Sequence, residues 1–334
     1  TVPAPPAPPS SGSSDPEPQP VPAIDTTPAD TVPAGSSIQT TDSDGDGIRE
    51  AIIAPDGTSV DGSRDGIPDA SQRNVTGLRL INDGASGSDY GAISVSRGIQ
   101  LSQVSVASAN SDGAYPVTTR SGGTVEITTP IGITNAFSGV VSFTASGVTP
   151  GGRTEVTIHF PSGLDSGSAN AYLRFNYSTN RFEEYVDAGG KPLYTFVDSN
   201  GDGNVDEVKL TLVDGDPSWD GDGLANGIVV DPGFYGKGDR TLNGSKASDT
   251  LIGNVLANTI TGFNRNDTLS GDLGNDIHLG GNGSDLITGG EGSDQLSGGR
   301  GSDRFIYTSI ADSRGSTATR DTITDFRDGD KIDL

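Results

Sequence analysis

The chain has 334 residues and a formal net charge of −24, with 45 Asp and Glu against 21 Lys and Arg; such a surface repels nucleic acid and anionic membranes and attracts cations. Hydrophobic residues make up 31% and aromatic residues 6%, while Gly numbers 49 and Pro 20, a composition between that of an ordinary globular chain and a low-complexity one. Cys is absent, which excludes disulfides, zinc thiolates and iron–sulfur clusters; Met is absent too, so Thr1 is expected to follow earlier residues of a longer protein.

Residues 1–39, opening TVPAPPAPPSSGSSDPEPQP, offer no apolar face and read as a disordered, proline-rich linker. Residues 40–72 hold two acidic turns. In the first, Asp42, Asp44, Asp46 and Glu50 take places 1, 3, 5 and 9 around Gly47, with Ile48 at the seventh place, where such loops use a main-chain carbonyl. The twelfth place is Ile53 rather than Glu, so this is not an EF-hand. The second turn repeats the spacing with Asp61, Asp65, Ile67 and Asp69, but has Ser63 and Arg64 in place of acid and spacer. Both turns resemble thrombospondin type 3 calcium repeats, and the resemblance implies that both bind Ca²⁺, the second less well.

From 73 to 235 short segments alternate with period two: TGLRLI (76–81), AISVSR (92–97), TVEITT (124–129), VVSFTA (140–145), TEVTIHF (154–160), AYLRFNY (171–177) and EVKLTLV (207–213). Gly, Pro, Asn and Asp punctuate them, which predicts an antiparallel β-sandwich. His159 alternates with Ile158 and Phe160 and is expected on the opposite, solvent side. A third acidic turn, with Asp198, Asn200, Asp202, Asn204 and Asp206, lies between strand candidates, and a partial fourth carries Asp220 and Asp222. Both are candidate Ca²⁺ turns; the alternative is a solvated Asp-Gly turn. Trp219 beside Asp220 is either a sugar platform or a packed loop residue. GVTPGGRTEVTIHFPSGL, FVDSNGDGNVDEVKLTLVDGD and DGDGLANGIVVDPG resemble the bacterial choice-of-anchor U domain, which implies an exported protein held at a surface.

From 236 to 306 a nine-residue period takes over. Asp249, Asn258, Asp267, Asp276, Asp285, Asp294 and Asp303 fall nine apart, and two residues after each come Leu251, Ile260, Leu269, His278, Ile287, Leu296 and Phe305. Nine residues make one short strand and one turn; two such units make one coil of a parallel β-roll, whose single inward residue per strand gains a core only by stacking. Opening glycines Gly271, Gly280, Gly289 and Gly298, and the later Gly274, Gly283, Gly292 and Gly301, suit tight turns. Each turn presents the carboxylate of Asp276, Asp285, Asp294 or Asp303 with main-chain carbonyls, an oxygen set fit for Ca²⁺ shared between neighbouring turns. The pattern is weaker in 244–270, where Asn258 replaces the acid and Arg265 enters the turn. His278, at an apolar place, is either a metal ligand or an imidazole at the edge of a locally imperfect roll.

Residues 244–306 resemble the RTX, or haemolysin-type calcium-binding, family. Residues 299–334 resemble the start of the serralysin-type C-terminal domain, so 307–334 is expected to begin a cap. These resemblances imply folding on several Ca²⁺ ions outside the cell after passage through type I secretion machinery. The expected fold is all-β: an antiparallel sandwich followed by a parallel roll of nonapeptide repeats. The expected function is a non-catalytic, calcium-binding structural or adhesive module of a secreted or cell-surface bacterial protein, with cell-surface or matrix carbohydrate or protein as partner. No nucleic acid partner and no transmembrane segment are expected. The alternative is the C-terminal secretion and stabilising region of an extracellular hydrolase with its catalytic domain before Thr1. No catalysis is expected within the chain: it has no HExxH motif, and its two His fall in different domains.

Overall fold

The structure, a computed structural model, describes residues 37–38, 52–53, 74–79, 90–96, 98–135, 139–165, 169–313 and 320–334. Most of the proline-rich stretch and both early acidic turns, with Asp42, Asp44, Asp46, Ile48, Glu50, Asp61, Asp65, Ile67 and Asp69, lie outside the described residues. Ser37–Ile38 and Ile52–Ile53 form a short antiparallel pair.

Two antiparallel sheets follow. The first has five strands in the order Tyr194–Val197, Asn204–Val213, Arg153–Asp165, Tyr90–Val95, Val75–Arg79. The second runs Arg181–Glu184, Ala171–Asn176, Ile228–Gly238, Gly139–Ser146, Gln100–Ser108, with Ile133–Asn135 also paired to 228–238. Successive strand residues point to opposite faces, so Val156 and Ile158 of the first sheet meet Phe143, Tyr172 and Val229 of the second in one core. Each such side chain, removed from water, contributes roughly 1.5–3 kcal/mol.

The second sheet is covered on its other face as well. There Leu173, Phe175, Phe182 and Phe234 pack against the hairpin Ala114–Thr118/Thr124–Thr128 and against Val255, Leu256 and Leu273 of the repeat region. A strand covered on both sides has no polar face, and 171–176 is buried at every position. Arg174 on that strand pairs with Asp231 on the next, both fully buried. Its guanidinium lies 4.6 Å over the Tyr185 ring, and Tyr172 donates to Asp231 at 3.3 Å.

The repeat region winds into a parallel roll of two sheets. One contains Thr241–Asn243, Thr259–Asn264, Ile277–Asn282, Gln295–Arg300 and Thr322–Ile323; the other contains Thr250–Ile252, Thr268–Ser270, Leu286–Thr288, Arg304–Ile306 and Lys331–Asp333. Register partners within the repeats are eighteen residues apart, Ile260 with His278 and Leu269 with Ile287, so one coil is two nonapeptides. Ile260, Leu269, Ile287, Leu296 and Phe305 stack as its core, with Leu242, Leu251 and Ile323 packed against them. Among the described residues no helix is long and apolar enough to cross a membrane.

Two histidine expectations are corrected. His159 does face away from Ile158, but it is only 6% exposed: Ser94 on the neighbouring strand bonds its Nε2 at 2.8 Å, and Glu207 on the other side lies 3.7 Å from Nδ1. His278 is not at an edge. It points into the core, fully buried, because its register with Ile260 and Leu296 leaves it no other direction. Neither ring nitrogen has a hydrogen-bond partner, and burial pushes its pKa down to about 4. Trp219 is a packed loop residue, edge-on to Tyr185, with Nε1 donating to the Val186 carbonyl at 3.1 Å.

Candidate metal centre

The turns of the roll stack in two columns. The solvent column contains 244–249, 262–267, 280–285 and 298–303; the docked column contains 253–258, 271–276 and 289–294. In each column the aspartate of one coil is bound by the coil before it. The N–H groups of Asp249, Asn258, Asp267, Asp276 and Asp285 donate to Oδ1 of Asp267, Asp276, Asp285, Asp294 and Asp303 at 2.7–2.9 Å. These five carboxylates are 0–2% exposed. Their second oxygens, Oδ2 in every case, are buried with no hydrogen-bond partner.

A buried carboxylate oxygen without a donor is costly, and the charge responds. Burial pushes Asp276 up to about 9, Asp294 to about 7 and Asp285 to about 6, and it raises Asp267 and Asp303 as well. The main-chain N–H opposes each rise, and neighbouring carboxylates add to it, Asp294 acting on Asp276 and Asp303 on Asp285.

Main-chain oxygens lie beside the orphaned ones. A Cβ placed on Gly280 would meet Asp285 Oδ2 at 2.5 Å and the Gly298 carbonyl at 2.7 Å; on Gly262 it would meet Asp267 Oδ2 at 2.5 Å and the Gly280 carbonyl at 2.7 Å. Gly271 is crowded in the same way by Asp276 and the Gly289 carbonyl, Gly289 by Asp294 and Gly298 by Asp303. Gly274, Gly283, Gly292 and Gly301 have positive φ. At Gly283 a side chain would also run into the Arg265 carbonyl of the previous coil, so only glycine lets the turns stack.

In the turns that open at Gly262, Gly271 and Gly280, one unsatisfied carboxylate oxygen thus lies beside the opening carbonyl of the next coil. Among the described residues no three His, Asp or Glu side chains converge on a point, so an ion here would need carbonyls as well as carboxylates. An all-oxygen shell of this kind suits a hard divalent cation, and Ca²⁺ above all.

The sandwich turns are built differently. Asp198 accepts from the N–H groups of Gly201 and Gly203, Asn200 from Asp202, Asp202 from Asn204, and the buried Asp206 from Ser199 and Asn200. Asp220, fully buried, accepts from Gly215 at 2.8 Å and Val230 at 3.2 Å; Asp222 accepts from Leu224 and from Asn226 Nδ2. These carboxylates organise their own loops.

The sequence reading missed Asp321 and Asp330. Asp294 and Asp303 donate their N–H groups to these residues at 3.0 and 2.9 Å. The signal was present: Asp303, Asp312, Asp321 and Asp330 continue the nine-residue phase, and Asp321-Thr-Ile323 and Asp330-Lys-Ile332 keep the apolar residue two places on.

Residues 243–277 and 279–306 each match the family described as RTX calcium-binding nonapeptide repeat (4 copies). That repeat family binds Ca²⁺ and is non-catalytic, and its repeats are characteristic of secreted or extracellular bacterial proteins, typically exported by type I secretion. No curated protein matches the chain.

Proposed function

We propose that the chain is the calcium-built, non-catalytic part of a secreted or cell-surface bacterial protein, and that its roll folds on Ca²⁺ after type I export to serve as a structural or adhesive region. The observation that carries this reading is the stack of five buried aspartates, each with one oxygen held by a main-chain N–H and the other without a donor. In a cytosol poor in Ca²⁺ these carboxylates repel one another and hold the roll open, which suits passage through a narrow channel. Outside, sites with Kd on the order of 10⁻⁴–10⁻³ M fill. At a tenfold excess over Kd each site adds about 1.4 kcal/mol, so several sites rival the stability of a small domain. The acidic turn with Asp198, Asn200, Asp202, Asn204 and Asp206 is a further candidate site in the sandwich.

The test is amide exchange of the full chain titrated with Ca²⁺, with Mg²⁺ as control. The N–H groups of Asp276 and Asp285 are expected to gain protection together at sub-millimolar to millimolar Ca²⁺ and not with Mg²⁺. Equal protection in chelator would sink the proposal.

A further inference from the structure

The first two turns of the roll differ from the later ones at the place after the opening glycine. In the rows of Asp267, Asp276, Asp285, Asp294 and Asp303 that place is held by Phe263, Asp272, Gly281, Gly290 and Gly299, all with a φ between 77° and 107°. Phe263 and Asp272 take this conformation although side chains disfavour it, so it belongs to the place in the stack. These are the five rows in which Oδ2 has no donor. Ser245 and Asn254 hold the same place in the rows of Asp249 and Asn258, with ordinary negative φ. There the Ser245 N–H donates to Asp249 Oδ2 at 2.6 Å, and the Asn254 N–H to Asn258 Oδ1 at 2.8 Å.

A Cβ on Gly253 would meet Asn258 Oδ1 and the Gly271 carbonyl, as one on Gly271 would meet Asp276 Oδ2 and the Gly289 carbonyl. Asn258 Oδ1 thus stands where the later rows leave an oxygen orphaned, but here a main-chain donor satisfies it.

The nitrogen of that amide is used as well. Asn258 Nδ2 donates to the Asp239 carbonyl at 2.9 Å, and Asn254 Nδ2 donates to the same carbonyl at 2.8 Å. Asn254 Oδ1 accepts the Leu256 N–H at 2.9 Å, and both asparagines are buried. Asp239 directly follows the strand Ile228–Gly238 of the second sheet. Asn170 clamps the end of that strand: its Oδ1 accepts the Gly238 N–H at 3.1 Å, and its Nδ2 donates to the Gly238 carbonyl at 2.8 Å. Val255 and Leu256 pack on the same sheet. A carboxylate at 258 would set an acceptor against the Asp239 carbonyl; the amide closes this turn without an ion.

We propose that the turn 253–258 is an anchor that needs no calcium, held on the sandwich by its two asparagines, and that it is the template from which the docked column grows. The inference rests on the reading that the later turns fold on calcium. Asn258 presents its N–H to Asp276 Oδ1 at 2.7 Å and its carbonyl to the Ile277 N–H at 2.9 Å. The coil after it therefore pairs with an edge already in place, and the chain loses no further entropy in bringing that edge there. Calcium extends the roll rather than starting it.

The test is amide exchange of the full chain in chelator, followed by pulse labelling after Ca²⁺ is added, on the wild type and on Asn258→Asp. In the wild type the N–H groups of Asn254 and Leu256 are expected to be protected in chelator, while those of Asp276 and Asp285 gain protection only with calcium. In Asn258→Asp the first pair is expected to lose protection in chelator by about tenfold or more, and calcium-triggered protection of Asp276 to slow. Unchanged exchange at Val156 and Ile158 shows that the sandwich of the variant is folded; if it is not, the wild-type exchange decides alone. Asn254 and Leu256 exchanging in chelator as fast as Asp276 and Asp285, with calcium protecting all four, overturns the anchor and leaves the calcium reading standing. A folded variant with wild-type rates overturns the anchor too. Equal protection of all four amides in chelator overturns the calcium reading and the anchor with it.

Discussion

Asp276 shows what burial does to a repeat carboxylate. Its Oδ1 is held by the Asn258 N–H at 2.7 Å, and its Oδ2 has no donor. Without metal, the raised pKa values of Asp276, Asp294 and Asp285 (about 9, 7 and 6) mean that the fold prefers the protonated acids. Their contribution is fully present below the unfolded carboxyl pKa near 4 and is lost as pH rises through the folded values. In chelator the roll is therefore expected to gain stability as pH falls from about 8 to about 5. In saturating Ca²⁺ the slope reverses, because the ion needs deprotonated ligands. Denaturant unfolding at both pH values, with and without calcium, checks the change of sign; parallel slopes would refute it. His278 bears the opposite charge logic. An imidazole with two unpartnered nitrogens in an apolar stack is expensive, so His278→Leu is expected to raise the roll's stability by about 1–3 kcal/mol, read as a shift in denaturant midpoint. The aspartate phase was legible in the sequence because charge and spacing coincide in every copy but that of Asn258. The direction of His278 was not, because register outweighs polarity at a single position.

Individual elements show where a local pattern misleads. Ile228–Gly238 contains Pro232 and three glycines, which argues against a strand, yet it lies between two neighbours in the middle of the second sheet. What holds it there is long-range: Asp231 pairs with Arg174 on one neighbouring strand, and Val229 and Phe234 enter cores on opposite faces. Asp231→Ala leaves the guanidinium buried and uncompensated and is expected to cost about 3–5 kcal/mol, seen as a fall in Tm with or without Ca²⁺. A Tm change confined to calcium-loaded protein would point to the roll instead. Gln100–Ser108 escaped notice for another reason. Its register shifts between Ser102 and Ser105, with Gln103 at a φ of 55°. The bulge puts Val104 and Val106 on the core side with Leu101 and breaks the period of two by which strands are recognised. The segments with an unbroken alternation, such as 154–160, were legible as strands.

At the scale of the whole molecule, the weak first repeats have a purpose that sequence comparison within the ladder hides. Val255 and Leu273 stand where later copies have Asn282, Glu291 and Arg300, and Leu256 where they have Gly274, Gly283, Gly292 and Gly301; all three pack against Phe175, Phe182 and Phe234. Arg240–Glu184 at 2.5 Å and Arg181–Glu291 at 3.1 Å flank the same contact. The departures from the repeat are thus an interface, which no pattern of nine could announce, since its partners lie outside the ladder, in the sandwich. Leu256→Asp is expected to undock the roll. Calorimetry of the calcium-loaded chain would then show two transitions in place of a joint one, with the roll losing about 2–5 kcal/mol.

The same docking divides the columns in time. The solvent column carries Ser245, Lys246, Asn266, Ser284 and Ser302 at its exposed tips, whereas Asn254, Val255, Leu256 and Asn258 of the docked column are buried against the sandwich. An ion in the solvent column can leave directly, but one beneath the sandwich must wait for a local opening. Mixing the loaded chain with excess chelator is expected to release calcium in two phases, with Leu256→Asp merging the slow phase into the fast one. On the proposed reading the roll would hold two stores of the same ion with different residence times, so that a brief fall in external calcium is expected to empty one face and leave the other loaded.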